Sequence, residues 1–172
     1  ISAKGQAVAW VRKNPLGKWF YYEAIDTDKD GFCASYNFDI TTKTRGAIDG
    51  YSKEADFLVN GNLTLEIFDS QRQPLNRIEV KNKAGETIAW IKMDIYKRWH
   101  YQEAADNDKD GYFASYIFTM ASHSYNPAVD LEGYSKVTAF TVAGARVLGL
   151  YGKDKKFLGR YEAQNLTGDP VG

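Results

Sequence analysis

The chain is written twice, and that repetition limits its fold more than any other feature. Residues 19–40, WFYYEAIDTDKDGFCASYNFDI, match residues 99–120, WHYQEAADNDKDGYFASYIFTM, at 13 of 22 positions with an offset of 80. Upstream, AVAW at 7–10 answers TIAW at 87–90, so Trp10 pairs with Trp90 and Trp19 with Trp99. Downstream, AIDGYSK at 47–53 answers AVDLEGYSK at 128–136 with two residues inserted, and an offset of 83 then aligns 65–82 with 148–165. A duplication of this extent calls for a fold made of two equivalent pieces. The boundaries it suggests are a first repeat at 1–83 and a second at 84–172, joined by the polar segment KNKAGE at 81–86. That junction is too short to be a long flexible tether.

Each repeat reads as β. GQAVAWVRK and ETIAWIKMD alternate apolar and polar residues over short runs, and WFYYEAI and WHYQEAA follow as aromatic strands. Phe32, Ala34, Tyr36 and Phe38 share one face at period two, as do Tyr112, Ala114, Tyr116, Phe118 and Met120. ADFLVNG, NLTLEIFDS and PLNRIEV supply three more strands, with hairpin turns at Asn60-Gly61 and Ala143-Gly144. No segment sustains a 3.6-residue period, although KEADFL at 53–58 could form a single helical turn. The expected fold is all-β: a tandem duplication of a roughly 80-residue β-sandwich or Greek-key unit of about six strands.

Composition narrows the function. Lys plus Arg and Asp plus Glu are 22 each, a balance that argues against a nucleic-acid binder and against a polybasic membrane-surface protein. No apolar run is long enough for a spanning helix. The single Cys33 excludes an internal disulfide framework and a Cys-based zinc site. The start at Ile1, without Met, suits a cut fragment as well as trimming after export.

The chemical signal is acidic. Asp26-Thr27-Asp28-Lys29-Asp30-Gly31 reads D-x-D-x-D-G, and Asp106-Asn107-Asp108-Lys109-Asp110-Gly111 repeats it. Carboxylates at alternate places of a curled loop converge on one point, and a hard cation such as calcium takes six to eight oxygens. The glycine allows the sharp turn. These two loops, at 26–31 and 106–111, resemble the calcium loops of EF-hand and dockerin-type modules over six to seven residues each. The resemblance implies calcium as the bound ion, held by Asp26, Asp28 and Asp30 and by Asp106, Asp108 and Asp110, with the backbone carbonyls of Phe32 and Tyr112 as further ligands. It stops there. The twelfth place of the EF-hand loop, normally Glu, holds Asn37 and Ile117, and the flanks read as strands rather than helices. The missing oxygens must come from elsewhere, and Glu23, Asp49, Glu103 and Asp130 are the candidates. Solvated acidic turns are the plain alternative, since Asp and Gly favour turns in any case. Against it, all three Asp and the Gly persist in repeats that differ at many other positions.

Other residues have plainer roles. Trp10, Trp19, Trp90 and Trp99 are expected in the core, the alternative being a platform for sugar rings. Cys33 aligns with Phe113, which suggests a packing thiol. His100 aligns with Phe20 and His123 has no counterpart, so neither completes a repeated catalytic set. Asn62-Leu63-Thr64 and Asn165-Leu166-Thr167 are glycosylation sequons at aligned places. The tail from Thr167 is expected to fray.

Together these features describe a non-enzymatic, calcium-binding β-protein. It would be secreted or at the cell surface, where calcium is millimolar, with the ion structural and the surface used for adhesion, matrix or assembly contacts. Its partner would be a protein or glycan, or a further copy of itself. The alternative is a calcium-stabilised carbohydrate-binding module.

Overall fold

The computed structural model describes residues 1, 3–14, 17–165 and 169–171. Pro15 and Leu16 of the first expected turn, and Leu166, Thr167 and Gly168 of the tail and second sequon, lie outside the described residues. Among the described residues twelve strands form and there is no helix. They are β1 (Ala9–Lys13), β2 (Trp19–Glu23), β3 (Cys33–Asp39), β4 (Thr44–Val59), β5 (Asn62–Phe68), β6 (Pro74–Lys81), β7 (Thr87–Met93), β8 (Trp99–Glu103), β9 (Phe113–Phe118), β10 (Leu131–Val142), β11 (Ala145–Tyr151) and β12 (Phe157–Gln164). The segment 53–58 is part of β4, where Phe57 and Val59 take strand positions, so the single helical turn does not form.

Hydrogen-bonded neighbours follow chain order from β1 to β12, and every recorded pairing is antiparallel. This up-and-down order is not the Greek-key order expected from the sequence. The reason is connection length. Asn60-Gly61 and Ala143-Gly144 are two-residue turns with positive φ at both residues (50° and 77°, 49° and 78°). Such turns join strands only to their immediate neighbours. A Greek key needs one long return connection.

The chain divides into two compact units: Ile1–Glu54 with Leu65–Asn76, and Ala55–Thr64 with Arg77–Gly172. The division passes through β4, β5 and β6 rather than through the polar junction at 81–86. In the second unit Val59, Ile78, Val80, Ile88, Ala89, Ile91, Tyr101 and Phe118 form a buried cluster, with Phe57, Trp99, Tyr116, Met120 and Tyr125 packed against it. Strand alternation puts Ala89 and Ile91 on one face beside Val80 and Ile78, and Ile88 joins them at the register shift between the Val80 and Lys81 pairs. Ile91 pairs with Ile78 on one side and Tyr101 on the other, and Tyr101 pairs in turn with Tyr116. In the first unit Tyr21 packs edge-on against Tyr36 (6.1 Å between centroids) and stacks near Phe38 (6.4 Å), which is the shared face expected.

The shared A-(I/V)-D…G-Y-S-K segment has a steric reason. A Cβ on Gly50 would lie 2.8 Å from the Phe68 carbonyl oxygen, and one on Gly133 would lie 2.8 Å from that of Tyr151. Only glycine lets β4 approach β5, and β10 approach β11, so closely. Thr64 of the first sequon is fully buried, and its hydroxyl donates to the Phe57 carbonyl at 2.6 Å. Asn62 of the same sequon is only half-buried, beside the Asn60-Gly61 turn.

Candidate metal centres

The acidic loops join β2 to β3 and β8 to β9, the second and third strands of each repeat. In the first, Asp26 Oδ1 accepts the Asp30 N–H (3.1 Å) and Oδ2 accepts the Gly31 N–H (2.7 Å). Asp28 Oδ1 accepts the Asp30 N–H (3.3 Å), and Asp30 Oδ1 accepts the Phe32 N–H (2.9 Å). In the second loop the same four bonds measure 3.1, 2.8, 3.3 and 2.8 Å. Lys29 and Lys109 take positive φ (59° and 56°), as do Gly31 and Gly111 (90° and 86°). These left-handed residues curl each loop inward, and glycine at the sixth place avoids a Cβ penalty.

Curling brings three carboxylates together. In each loop, one oxygen from each Asp lies within 4.8 Å of the others. Two oxygens bound to one calcium at 2.3–2.6 Å stand at most about 5 Å apart, so the spacing matches a shared ion. The donors are all hard oxygens, which suits calcium over softer metals. Crowding has an electrostatic cost. A side-chain hydrogen bond with Asp26 is the main cause that raises the Asp28 carboxyl above its ordinary pKa, and desolvation is the main cause for Asp108. Asp30 and Asp110 are lowered, chiefly by the backbone N–H of Phe32 and of Tyr112. A cation among these groups would relieve their repulsion.

The remaining candidates fall into two sets. Glu23 Oε2 accepts the Ala34 N–H (2.8 Å) and Glu103 Oε2 accepts the Ala114 N–H (2.9 Å), so each glutamate ties the strand before the loop to the strand after it. Desolvation, with the charges of Asp108, Asp110 and Asp106 adding to it, pushes Glu103 up to about 7. Asp49 is exposed on β4, and Asp130 Oδ2 accepts the Asn126 N–H (2.6 Å). Neither glutamate, nor Asp49 or Asp130, belongs to the carboxylate groups that converge. Phe32 packs edge-on against Tyr51 and Phe68, and Tyr112 does the same against Tyr134 and Tyr151, which anchors the end of each loop.

Sequence reasoning missed one participant in each loop. Arg72, in the turn between β5 and β6, forms an ion pair with Asp30. Its guanidinium lies over the rings of Phe32 and Tyr51 at 4.7 and 4.6 Å. Lys155, in the turn between β11 and β12, pairs with Asp110 at 3.0 Å and lies over Tyr112 and Tyr134 at 5.1 and 5.0 Å. The signal was present, because the offset of 83 aligns Arg72 with Lys155. Each loop thus has one cationic side chain, positioned on aromatic rings, bound to its third Asp.

The other expected residues separate. Trp10 is 47% exposed, and the Arg12 guanidinium lies 5.1 Å from its ring centroid. Trp19 and Trp90 are half-buried, and Trp99 packs against the core of the second unit. Trp90, Gln102, Ser115, Arg146, Glu162 and Gln164 contribute to a cavity of about 430 Å³ in that unit. Cys33 is half-buried and its thiol is raised by desolvation, as a packing residue requires. His123 stacks on Phe57 at 3.9 Å. His100 bridges two carboxylates: Nε2 meets Asp94 Oδ2 at 2.7 Å and Nδ1 meets Glu132 Oε1 at 2.6 Å. Among the described residues, no helix is long and apolar enough to cross a membrane. Comparison with known proteins gives no match to a family model and none to a curated protein sequence.

Proposed function

We propose that the chain is a non-enzymatic, extracellular calcium-binding protein in which two ions brace a duplicated β framework used for adhesion, matrix or assembly contacts. The observation that carries this reading is the convergence of three carboxylates in each loop to within 4.8 Å, with near-identical backbone bonding in the two copies. Calcium would pin the β2–β3 and β8–β9 turns by drawing together groups that otherwise repel. The expected affinity is in the weak extracellular range, on the order of 10⁻⁴–10⁻³ M per site. At millimolar calcium such sites raise stability by mass action, because the ion binds the folded loops and not the unfolded chain. Arg72 and Lys155 oppose ion entry at Asp30 and Asp110 and hold the loops in shape without it. The test is a thermal melt in EDTA and in 5–10 mM calcium. An upward shift with calcium, reversed by EDTA, supports the reading; an unchanged midpoint removes it.

The carbohydrate-binding alternative draws on the cavity lined by Trp90, Gln102 and Glu162. The tryptophans weigh against a broad sugar platform: Trp10 alone of the four is exposed, and it carries Arg12 over its ring. Calorimetric titration with neutral and acidic oligosaccharides separates the two readings. Binding lost in Trp90→Ala would favour the module.

A further inference from the structure

We propose that the cavity of the second unit is a binding site for an acidic sugar, with the Arg146 guanidinium taking the carboxylate of one uronic acid ring. The inference rests on the carbohydrate reading of that cavity, names its ligand class, and is independent of calcium.

Strand pairing builds the site. Trp90 on β7 pairs with Gln102 on β8, and Gln102 pairs with Ser115 on β9, so the three stand in a row across the sheet. On β11 and β12, Arg146 pairs with Gln164 and Leu148 with Glu162. All of these residues line one cavity of about 430 Å³, within the usual size of small-ligand sites. Leu148 is 4% exposed and Gln164 9%, so an apolar side chain and an amide are both buried in its wall.

Arg146 carries the charge argument. It is reachable from solvent, and its Nη2 donates to Gln164 Oε1 at 3.2 Å. Among the described residues no carboxylate pairs with it. Its surroundings desolvate the guanidinium and lower its pKa, with no acidic neighbour to offset the loss. Gln164 is itself held, because its Nε2 donates to Glu162 Oε1 at 2.7 Å, which turns the amide oxygen to Arg146. A neutral acceptor thus orients the guanidinium without neutralising it. The rest of the planar fork is left for a carboxylate, which it can hold through two parallel bonds.

The other lining groups specify what bears that carboxylate. Gln102 is half-buried, and among the described residues its side-chain amide makes no hydrogen bond. Ser115 Oγ donates to Glu132 Oε1 at 3.3 Å and keeps its lone pairs for a donor. An amide, a hydroxyl and a carboxylate such as Glu162 suit sugar hydroxyls. Trp90 offers an apolar ring for the C–H face of a sugar. Glu103, Glu132 and Glu162 also line the cavity, and their charges would repel phosphate or any more densely charged anion. A ring with many hydroxyls and a single carboxylate meets all of these conditions. The first repeat lacks the set. Trp10 keeps the ring, but Tyr22, Leu63 and Lys81 stand where the second repeat has Gln102, Arg146 and Gln164.

The experiment titrates the full chain, in EDTA to remove calcium bridging, with oligomers of galacturonate, glucuronate and mannuronate. Each is run beside its carboxyl-reduced neutral form. Calorimetry should show one site per chain, with at least one uronate bound about tenfold or more tighter than its neutral form, as a charge-assisted contact requires. Arg146→Leu, which installs the first repeat's residue, should erase that preference and leave the neutral affinity unchanged. Lys153→Ala, which removes an exposed cation outside the cavity, should leave the preference intact. Equal affinity for acidic and neutral forms, a preference that survives Arg146→Leu, or one lost in Lys153→Ala would overturn the proposal and leave the carbohydrate reading standing. No sugar bound at millimolar concentration would overturn both. If Arg146→Leu fails to fold, the acidic and neutral forms compared on the unaltered chain still decide the outcome.

Discussion

The two units carry related residues at aligned places but bury them differently. Ile91, Tyr101 and Phe118 are 0%, 3% and 3% exposed, while their counterparts Val11, Tyr21 and Phe38 are exposed or half-buried. The difference lies in what covers them. In the second unit Phe57 and Val59 from the end of β4, Ile78 and Val80 from β6, and Tyr125 close over the aromatic face. The first unit has no such cover among its own described strands. Core formation is thus a property of a repeat together with the strands placed before it, and the repeat sequence alone does not encode it. Charge differs as well. Where the first unit has Asn14 and Phe20, the second has Asp94 and His100, and Glu132 arrives in the two-residue insertion. Three changes at separate places in the sequence meet in one ion cluster.

Truncation at aligned positions should expose that contrast most strongly. Ile91→Ala is expected to cost about 2–5 kcal/mol, the usual range for emptying a buried aliphatic site. Val11→Ala should cost less than about 1 kcal/mol, because an exposed side chain leaves no cavity. Urea melts of both variants measure this, and equal losses would erase the distinction between the units.

The loops should behave in the opposite way, as equals. Saturating each site to about ten times its dissociation constant contributes about 1.4 kcal/mol, so calcium should raise the thermal midpoint, and Asp28→Ala or Asp108→Ala should each remove about half of the rise. A rise abolished by one substitution alone would show that only one loop binds.

A smaller effect is confined to the second unit. Burial opposes charge on His100, but the carboxylates of Glu132 and Asp94 outweigh it and raise the imidazole pKa. A raised folded value means the contribution is fully present below the unfolded pKa of about 6.5 and is lost as pH climbs through the folded one. The melting midpoint should fall as pH rises through that window, and His100→Phe, which restores the first unit's residue, should flatten the profile. Asp94 is held well below the usual carboxylate range, chiefly by its hydrogen bond to His100, so its contribution survives until strongly acid pH.

The smallest effects concern the cations on the loops. Arg72→Ala and Lys155→Ala should each leave stability without calcium nearly unchanged, because solvent screens exposed ion pairs. Each should tighten calcium binding at its own loop by a few-fold, read by calorimetry.

Much of this architecture was legible in the sequence, for physical reasons. Period-two aromatic runs located β2, β3, β8 and β9, and Asn60-Gly61 and Ala143-Gly144 marked two hairpins, because both signals act within a few residues. The three Asp of each loop were legible for the same reason: spacing and glycine placement decide their convergence. Strand order was not, since Greek-key and meander chains share the same local alternation. The unequal burial of Val11 and Ile91 was equally hidden, because it depends on β6 and the end of β4, far from either residue in sequence. Asp49 and Asp130 looked like ligands because the repeat conserves them, yet the nearby Gly50 and Gly133 explain that segment through close strand approach. Arg72 and Lys155 could have been found from their alignment, had opposite charge been sought across the repeats.

Calorimetric titration of the chain with calcium tests the central claim most directly. The account predicts two equivalents bound per chain, falling to one in Asp28→Ala and one in Asp108→Ala and to none in the double variant. Absence of binding heat at millimolar calcium, or two equivalents retained after both substitutions, would contradict it.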